Sequence, residues 1–385
     1  MAEKKACNYL NDIILSCPHG IEDYVVEEVA ELGYKASLLK PSKVMVHNGS
    51  LRDIIVLNYS VYQIHRVYLL LLRFEVHSLK ELREAAATID FTHYMSVGQS
   101  FAVRGVREGT HSFTSVDIAR EVGSAVTDCF QSKKNTRVHA DLDDPDIEFM
   151  AELSENQFIL TINTTGESLH RRDRRAYQHF APLKASLAAA LVRFSSFREM
   201  KNLLDPMAGG GTIPAEAYMM SAGIQPGIYV KRFAFEKFRF MDPEQLKIYQ
   251  KSAIEKITDD PGIIIGAADK YHKNVEGMMV NLKKFNVTIY RGDARKLNYY
   301  PSGKYNLIVC NPPFGMRIGD KRNVKQLYSD FANVCAQKEI REIVGLTPEN
   351  VFWERSFSEH GYELMDKRRV LYGRLNCYML KMTLT

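Results

Sequence analysis

The sequence predicts an α/β chain: a seven-stranded, mostly parallel sheet with helices on both faces fills the C-terminal half, and an α+β module precedes it. Three observations carry this reading. Short apolar runs such as Leu307-Ile308-Val309 are of the kind found in parallel strands covered on both sides. Four such runs end, in order, in a glycine-rich turn, an Asp, a Gly-Asp and an Asn-Pro-Pro-Phe. The N-terminal half instead sets isolated strands around single helices, and 385 residues allow two or three domains.

In the N-terminal half, Ile13–Ser16 and Lys43–Val46 read as strands around a helix over 20–32, which Gly33 closes as a C-terminal cap. The apolar stretch from Tyr68 to Glu75 is strand-sized and far short of a membrane span. Phe101–Gly105 reads as a strand and 115–126 as a helix opened by a Ser or Thr cap, with further strands at Val138–Leu142 and Gln157–Ile162. There is no internal repeat and no low-complexity linker.

In the C-terminal half, a strand from Lys201 enters the turn Asp205-Pro206-Met207-Ala208-Gly209-Gly210-Gly211-Thr212, and a helix follows from Ile213. Glycine lets backbone pass close to a ligand. Gly209 and Gly211 would form the floor under the amino-acid part of a methyl donor, and Asp205 would hold either the turn or the donor's ammonium group. The strand 262–268 delivers Asp269, followed by Lys270, where an acid can accept from two ribose hydroxyls. Asp269 lies 64 residues beyond Asp205, whereas a dinucleotide fingerprint expects ~20. The strand Val287–Tyr290 delivers Asp293 and Ala294, suited to an adenine amino group and a ring nitrogen. Taken singly, each Asp also fits a strand-end turn or a helix cap.

The fourth strand end, Asn311-Pro312-Pro313-Phe314, bears on the chemistry. A carboxamide does not titrate, so Asn311 cannot be a general base, but its oxygen accepts hydrogen bonds. An exocyclic amine on a purine has its lone pair spread into the ring. Acceptors gripping both hydrogens, here the Asn311 side-chain oxygen and the Pro312 carbonyl, would favour the geometry that attacks a sulfonium methyl. Phe314 would stack on the base, a contact worth roughly 1–3 kcal/mol. The same tetrapeptide also serves simply as a strand-ending turn. Beyond it, Tyr362–Met365 and Asn376–Met382 are expected to end the sheet as an antiparallel hairpin around the segment Lys367–Tyr372.

With these four strand ends the chain resembles class I S-adenosylmethionine methyltransferases that modify exocyclic nucleobase amines, over 183–385. The resemblance implies a Rossmann-like methyltransferase domain and S-adenosyl-L-methionine as cofactor. The turn departs from the commoner Asp-Pro-Phe-Cys-Gly-Ser-Gly-Thr only by small swaps. The segment 224–260 is a long insertion, and it carries the Arg232-Phe-Ala-Phe-Glu236 core seen in the family's RNA enzymes. The first half is similar to a ferredoxin-like domain (1–62) followed by a THUMP RNA-binding domain (63–167), on the segments 101–115, 141–146 and 165–172, with 168–182 as linker. The run Asn311-Pro-Pro-Phe-Gly-Met-Arg-Ile-Gly319 is most similar to TrmN-type tRNA enzymes and their archaeal counterparts. That likeness implies N2-methylation of guanosine six in the acceptor stem, with the THUMP domain holding the 3′ end. Such a base is paired, so it must be extruded at a cost of a few kcal/mol. A 23S rRNA guanosine methyltransferase would share these motifs. A DNA adenine-N6 methyltransferase would lack the THUMP-like half, and a noncatalytic RNA-binding protein would have decayed donor motifs.

Lys+Arg number 51 against 46 Asp+Glu, a net +5, so RNA binding must rest on local patches. The densest is His170, Arg171, Arg172, Arg174 and Arg175, and a second, Arg317, Lys321 and Arg322, follows the catalytic turn. The six cysteines show no metal-ligand spacing, and there is no charged-then-apolar leader pattern. The expectation is a monomeric cytoplasmic enzyme that uses no metal.

Overall fold

A computed structural model of the chain describes residues 12–172, 177, 183–315 and 321–385, apart from the side chain of Lys321. Two sheets organise it. The first contains β1 (Ile13–Ser16), β2 (Ala36–Lys40), β3 (Lys43–Val46), β4 (Arg66–Glu75), β5 (Ser100–Glu108), β6 (His139–Ala140), β7 (Ile147–Ser154) and β8 (Gln157–Asn163). Its order is β2-β3-β1-β4-β8-β7-β5-β6, so one sheet runs unbroken across residue 62. The join is the antiparallel pair β1 and β4, with Ile14 opposite Tyr68.

The second sheet contains β9 (Asn202–Asp205), β10 (Ile264–Asp269), β11 (Thr288–Arg291), β12 (Leu307–Cys310), β13 (Glu342–Thr347), β14 (Tyr362–Tyr372) and β15 (Leu375–Leu384). Its order is β11-β10-β9-β12-β13-β15-β14, with the first five strands parallel and β15 antiparallel to both neighbours. This is the expected seven-stranded α/β sheet. Chain order reverses between β9 and β12, and ligands of such sheets bind at that crevice, outside the strand carboxyl ends. The helix Thr212–Ala222 is buried on nearly every side, because the sheet, the helix Ala185–Phe194 and the N-terminal module leave it almost no solvent face.

Three expected elements shift. The helix beginning at Ser115 continues to Lys134, ending on Asn135 in the left-handed region (φ 50°). The strand expected over Val138–Leu142 shrinks to His139–Ala140 at the sheet edge. The segment Lys367–Tyr372, expected to lie between two hairpin strands, is itself strand: β14 continues through a bulge between Leu364 and Asp366, and the turn falls at Gly373 and Arg374. A bulge disrupts the alternation from which a strand is read.

The insertion has a structural reason. Phe233, Phe235 and Phe238 sit in the hydrophobic core of the first sheet. Ala234 N–H donates to the Thr165 carbonyl at 3.1 Å and Phe235 N–H to Thr164 at 2.8 Å. Gly227 presses so tightly on the helix Leu51–Ser60 that an added Cβ would come 2.5 Å from Tyr59 Cα. A segment that interrupts the second sheet in sequence thus clamps it to the first.

Candidate active site

The β9 turn, β10, β11 and β12 bring their C-terminal ends to one edge. Asp205 closes β9 with 2 % exposure and accepts the Met207 N–H at 3.0 Å. Desolvation, reinforced by nearby Asp269, raises its carboxyl well above the usual range. Among the described residues it meets no cation, so a ligand's ammonium group would relieve its burial. Ala208 N–H donates to Ala268 at 2.9 Å. Gly211 has φ +80°, and a Cβ there would lie 2.8 Å from Leu282, so both the backbone and the space require glycine. Thr212, after it, is buried at the helix start, and Pro206 lies inside the turn.

Asp269 braces this turn, a role the ribose reading did not include. One carboxylate oxygen accepts the Gly209 N–H at 3.0 Å and the other accepts the Tyr271 N–H at 2.8 Å. Each retains a lone pair for a further donor. Asp293, expected to meet an adenine amine, is gripped by Arg295 through Nε (3.0 Å) and Nη2 (2.6 Å), with Lys270 Nζ at 3.5 Å. Arg295 holds its carboxyl well below the ordinary range. Beside it Ala294 is buried.

Asn281 and Tyr177 were not legible as site residues. Asn281 Nδ2 donates to the Gly210 and Tyr177 carbonyls, both at 3.0 Å, and its oxygen accepts the Tyr177 N–H at 3.0 Å. Tyr177 packs on Gly277, where a Cβ would clash with its ring at 2.1 Å. A linker residue is thereby fastened to the floor of the glycine turn.

At the end of β12, Asn311 Oδ1 is buried without a hydrogen-bond partner. Such an orphan acceptor costs ~1–3 kcal/mol, which a bound donor would relieve. Pro312 is buried and Pro313 exposed. The turn is held from behind: Tyr328 O–H donates to the Pro313 carbonyl at 3.2 Å, and its oxygen lies 2.9 Å from Thr347 Oγ1, which accepts the Glu349 N–H at 3.0 Å. Donating on to Tyr328 gives this relay a single direction. Phe314 meets Tyr372 edge to face, 6.2 Å between centroids. It also lines a small surface cleft with Val324, Lys325, Glu349 and Phe352.

The basic linker divides. Arg172, expected on RNA, is 3 % exposed and buried against Glu216, with further bonds to the Leu169 and Tyr62 carbonyls. A charge run read from sequence cannot reveal a partner 44 residues away. His170 is also turned inward, bonded to Ser168 Oγ at 2.6 Å and 5.0 Å from the His65 ring. Arg171 is different: its side chain is 66 % exposed and pairs with Glu167. Arg322 is exposed. Arg174, Arg175, Arg317 and the side chain of Lys321 lie outside the described residues. No described helix is long and apolar enough to cross a membrane, and the described residues hold no group of three potential metal ligands.

A parallel sheet with a glycine turn at its switch point, followed by an antiparallel hairpin, defines a class I methyltransferase fold. The chain belongs to the RMKL-like methyltransferase domain family, whose model matches 172–378, and it carries a THUMP domain over 76–163. It is 32 % identical to the tRNA (guanine(6)-N2)-methyltransferase of Methanocaldococcus jannaschii, covering 97 % of this chain and 100 % of that one. Likeness to the ribosomal RNA large subunit methyltransferase K/L of Pseudomonas aeruginosa is 27 % over 85 % of this chain, but only 46 % of that protein. In structure it is similar to the SMU.472 methyltransferase complexed with SAH, with TM-score 0.87 and 23 % identity over 97 % of this chain and 98 % of that one.

Proposed function

We propose that this protein transfers a methyl group from S-adenosyl-L-methionine to the exocyclic N2 amine of a guanosine in the tRNA acceptor stem, position six, forming N2-methylguanosine. The observation that carries the chemistry is the buried, unpartnered Asn311 oxygen at the end of β12. The full-length likeness to the archaeal tRNA enzyme favours tRNA over rRNA, since the K/L protein is matched over less than half its length.

The donor supplies an electrophilic sulfonium methyl group. Asp205 and the Gly209–Gly211 turn would hold its amino-acid end, Asp269 and Lys270 its ribose, and Asp293 and Ala294 its adenine, with Pro206, Met207, Ala208 and Thr212 shaping the pocket. Asn311 Oδ1 and the Pro312 carbonyl accept the two N2 hydrogens, Phe314 covers the base, and Pro313, tied to Tyr328, fixes the turn. Positioning of this kind lowers the barrier without a titrating base. Arg171, Arg322 and the basic residues around them would follow the RNA backbone.

Incubation with labelled donor and separate tRNA, rRNA and DNA pools, followed by nucleoside identification, tests the reading. N2-methylguanosine in tRNA alone is expected. Label in rRNA alone, or on adenine, overturns it.

A further inference from the structure

Four cations converge where the linker meets the helix Ala185–Phe194. The rings of His65 and His170, 5.0 Å apart, mark the spot. After burial, the influences that lower His170 are the charges of Lys184, Arg171, Arg66 and Arg172, and three of these, Lys184, Arg66 and Arg172, act on His65 as well. Arg172 is answered by Glu216 and Arg171 by Glu167. Arg66 and Lys184 pair with no carboxylate among the described residues. Arg66 Nε donates instead to the neutral Gly166 carbonyl at 2.9 Å. Both side chains are half-buried, where salt and water screen a charge less than on an open surface.

Lys184 also runs against the rule for helix starts. It is the N-cap of Ala185–Phe194, and no side chain caps that end. N-caps favour Ser, Thr, Asp or Asn, and the helix already carries partial positive charge there. A cation in this position adds repulsion at an end whose first N–H groups need acceptors. The elements involved are fixed to one another: His65 Nε2 lies 3.1 Å from Ser186 Oγ, and the Leu169 N–H donates to the His65 carbonyl at 2.8 Å. Positive charge from the start of β4, from the linker and from a catalytic-domain helix is therefore gathered at one rim with too few carboxylates to balance it.

An anion supplies what is missing, and a phosphodiester offers acceptor oxygens to a guanidinium and an ammonium together. We propose that Arg66 and Lys184 form a phosphate-binding site for the tRNA backbone at the rim of the junction. The proposal rests on the tRNA reading above and adds the residues that set the RNA in register. Arg66 opens β4 of the first sheet, and Lys184 starts a helix whose Leu187 and Leu191 pack in the core of the second. A phosphate held by both is fixed relative to the RNA-binding module and the donor pocket at once.

The test measures tRNA affinity against salt for the full chain. Arg66→Gln combined with Lys184→Gln should reduce the slope of log affinity against log salt by ~1 and weaken binding about tenfold, with donor binding by calorimetry unchanged. Lys184→Arg keeps the charge and should keep the slope. Lys184→Gln alone breaks no described side-chain bond, so it reads the charge even if Arg66→Gln fails to fold. It should weaken tRNA binding while the urea midpoint of the RNA-free protein stays level or rises. A lowered midpoint with tRNA binding intact would make Lys184 a structural residue and overturn the proposal, as would an unaltered slope in the double variant. Thermal stabilisation by inorganic phosphate that vanishes in the double variant, with the tRNA slope unaltered, would assign the site to a free anion and overturn it too. If the unmodified protein binds no tRNA, the tRNA reading itself falls, and this proposal with it.

Discussion

Arg172 and Glu216 form an ion pair, Nη2 to Oε2 3.1 Å, in which the side chains are 1 % and 0 % exposed. Arg172 lies in the linker that follows the THUMP domain, and Glu216 lies in the first helix after the glycine turn. Tyr62 extends the contact, its carbonyl accepting from Arg172 at 2.9 Å and its hydroxyl donating to the Met219 and Ile224 carbonyls. The junction between the RNA-binding half and the donor pocket is therefore dry and polar, and each of its charges depends on a partner.

Arg172→Ala and Arg171→Ala should separate cleanly. Removing one member of a buried pair costs ~3–5 kcal/mol, because the other is left charged and dry. Urea denaturation should show that loss for Arg172→Ala and almost none for Arg171→Ala. Arg171→Ala should instead reduce the slope of log tRNA affinity against log salt by ~1, the effect of one lost phosphate contact. An unaltered slope would move the RNA away from Arg171.

Asn311→Ala should lower kcat by roughly 10²–10³-fold, the cost of deleting one preorganised catalytic hydrogen bond. Donor affinity measured by calorimetry should stay nearly unchanged. Donor binding lost together with turnover would make Asn311 a donor-pocket residue and leave the amine without its proposed acceptor.

The strand ends were legible because each combines two local signals, an apolar run and a residue type that stops it: Asp205, Asp269, Asp293 and Asn311 all come to one edge. Less legible was how each carboxylate is used. Asp269 braces Gly209 across 60 residues, and Asp293 is gripped by Arg295 only two residues on. Both are pairings that spacing alone does not favour over a ligand contact. The basic linker misled for a related reason. Charge runs are mostly solvated, but Arg172 leaves the run for Glu216, a glutamate on a helix that is buried on nearly every side. Tyr328 carried no signal at all, since a buried tyrosine on an amphipathic helix is ordinary core until its hydroxyl is seen to meet Pro313.

Tyr328→Phe tests that contact. The ring stays in place, so folding should lose only ~1 kcal/mol for the missing hydrogen bond. The catalytic turn loses its rear support, and small misplacement of reacting groups is costly. We expect kcat to fall about tenfold with donor affinity and tRNA affinity unchanged. A rise in KM with kcat intact would show that Tyr328 supports binding and does not position the turn.

The junction should also respond to acid. His65 lies against His170 and 3.1 Å from Ser186 Oγ on the catalytic side. Burial, aided by the charge of the other ring, lowers His65 from 6.5 to about 3. Burial and the Lys184 charge lower His170 to about 4. Between about 4 and 6.5 the unfolded chain therefore binds protons that the folded chain refuses, and stability rises with pH there. The contribution is complete above 6.5 and is lost as pH falls. Glu28, raised by burial to about 7, works in the opposite sense over part of the same range, so the wild-type slope alone does not isolate the histidines. The comparison that does is urea denaturation at pH 6.5 and pH 4.5 of the wild type and a His65→Gln, His170→Gln variant, in which neither position titrates. The wild type should lose more stability on acidification than the variant. Equal losses would mean that the folded protein admits protons at this junction, and that water reaches it.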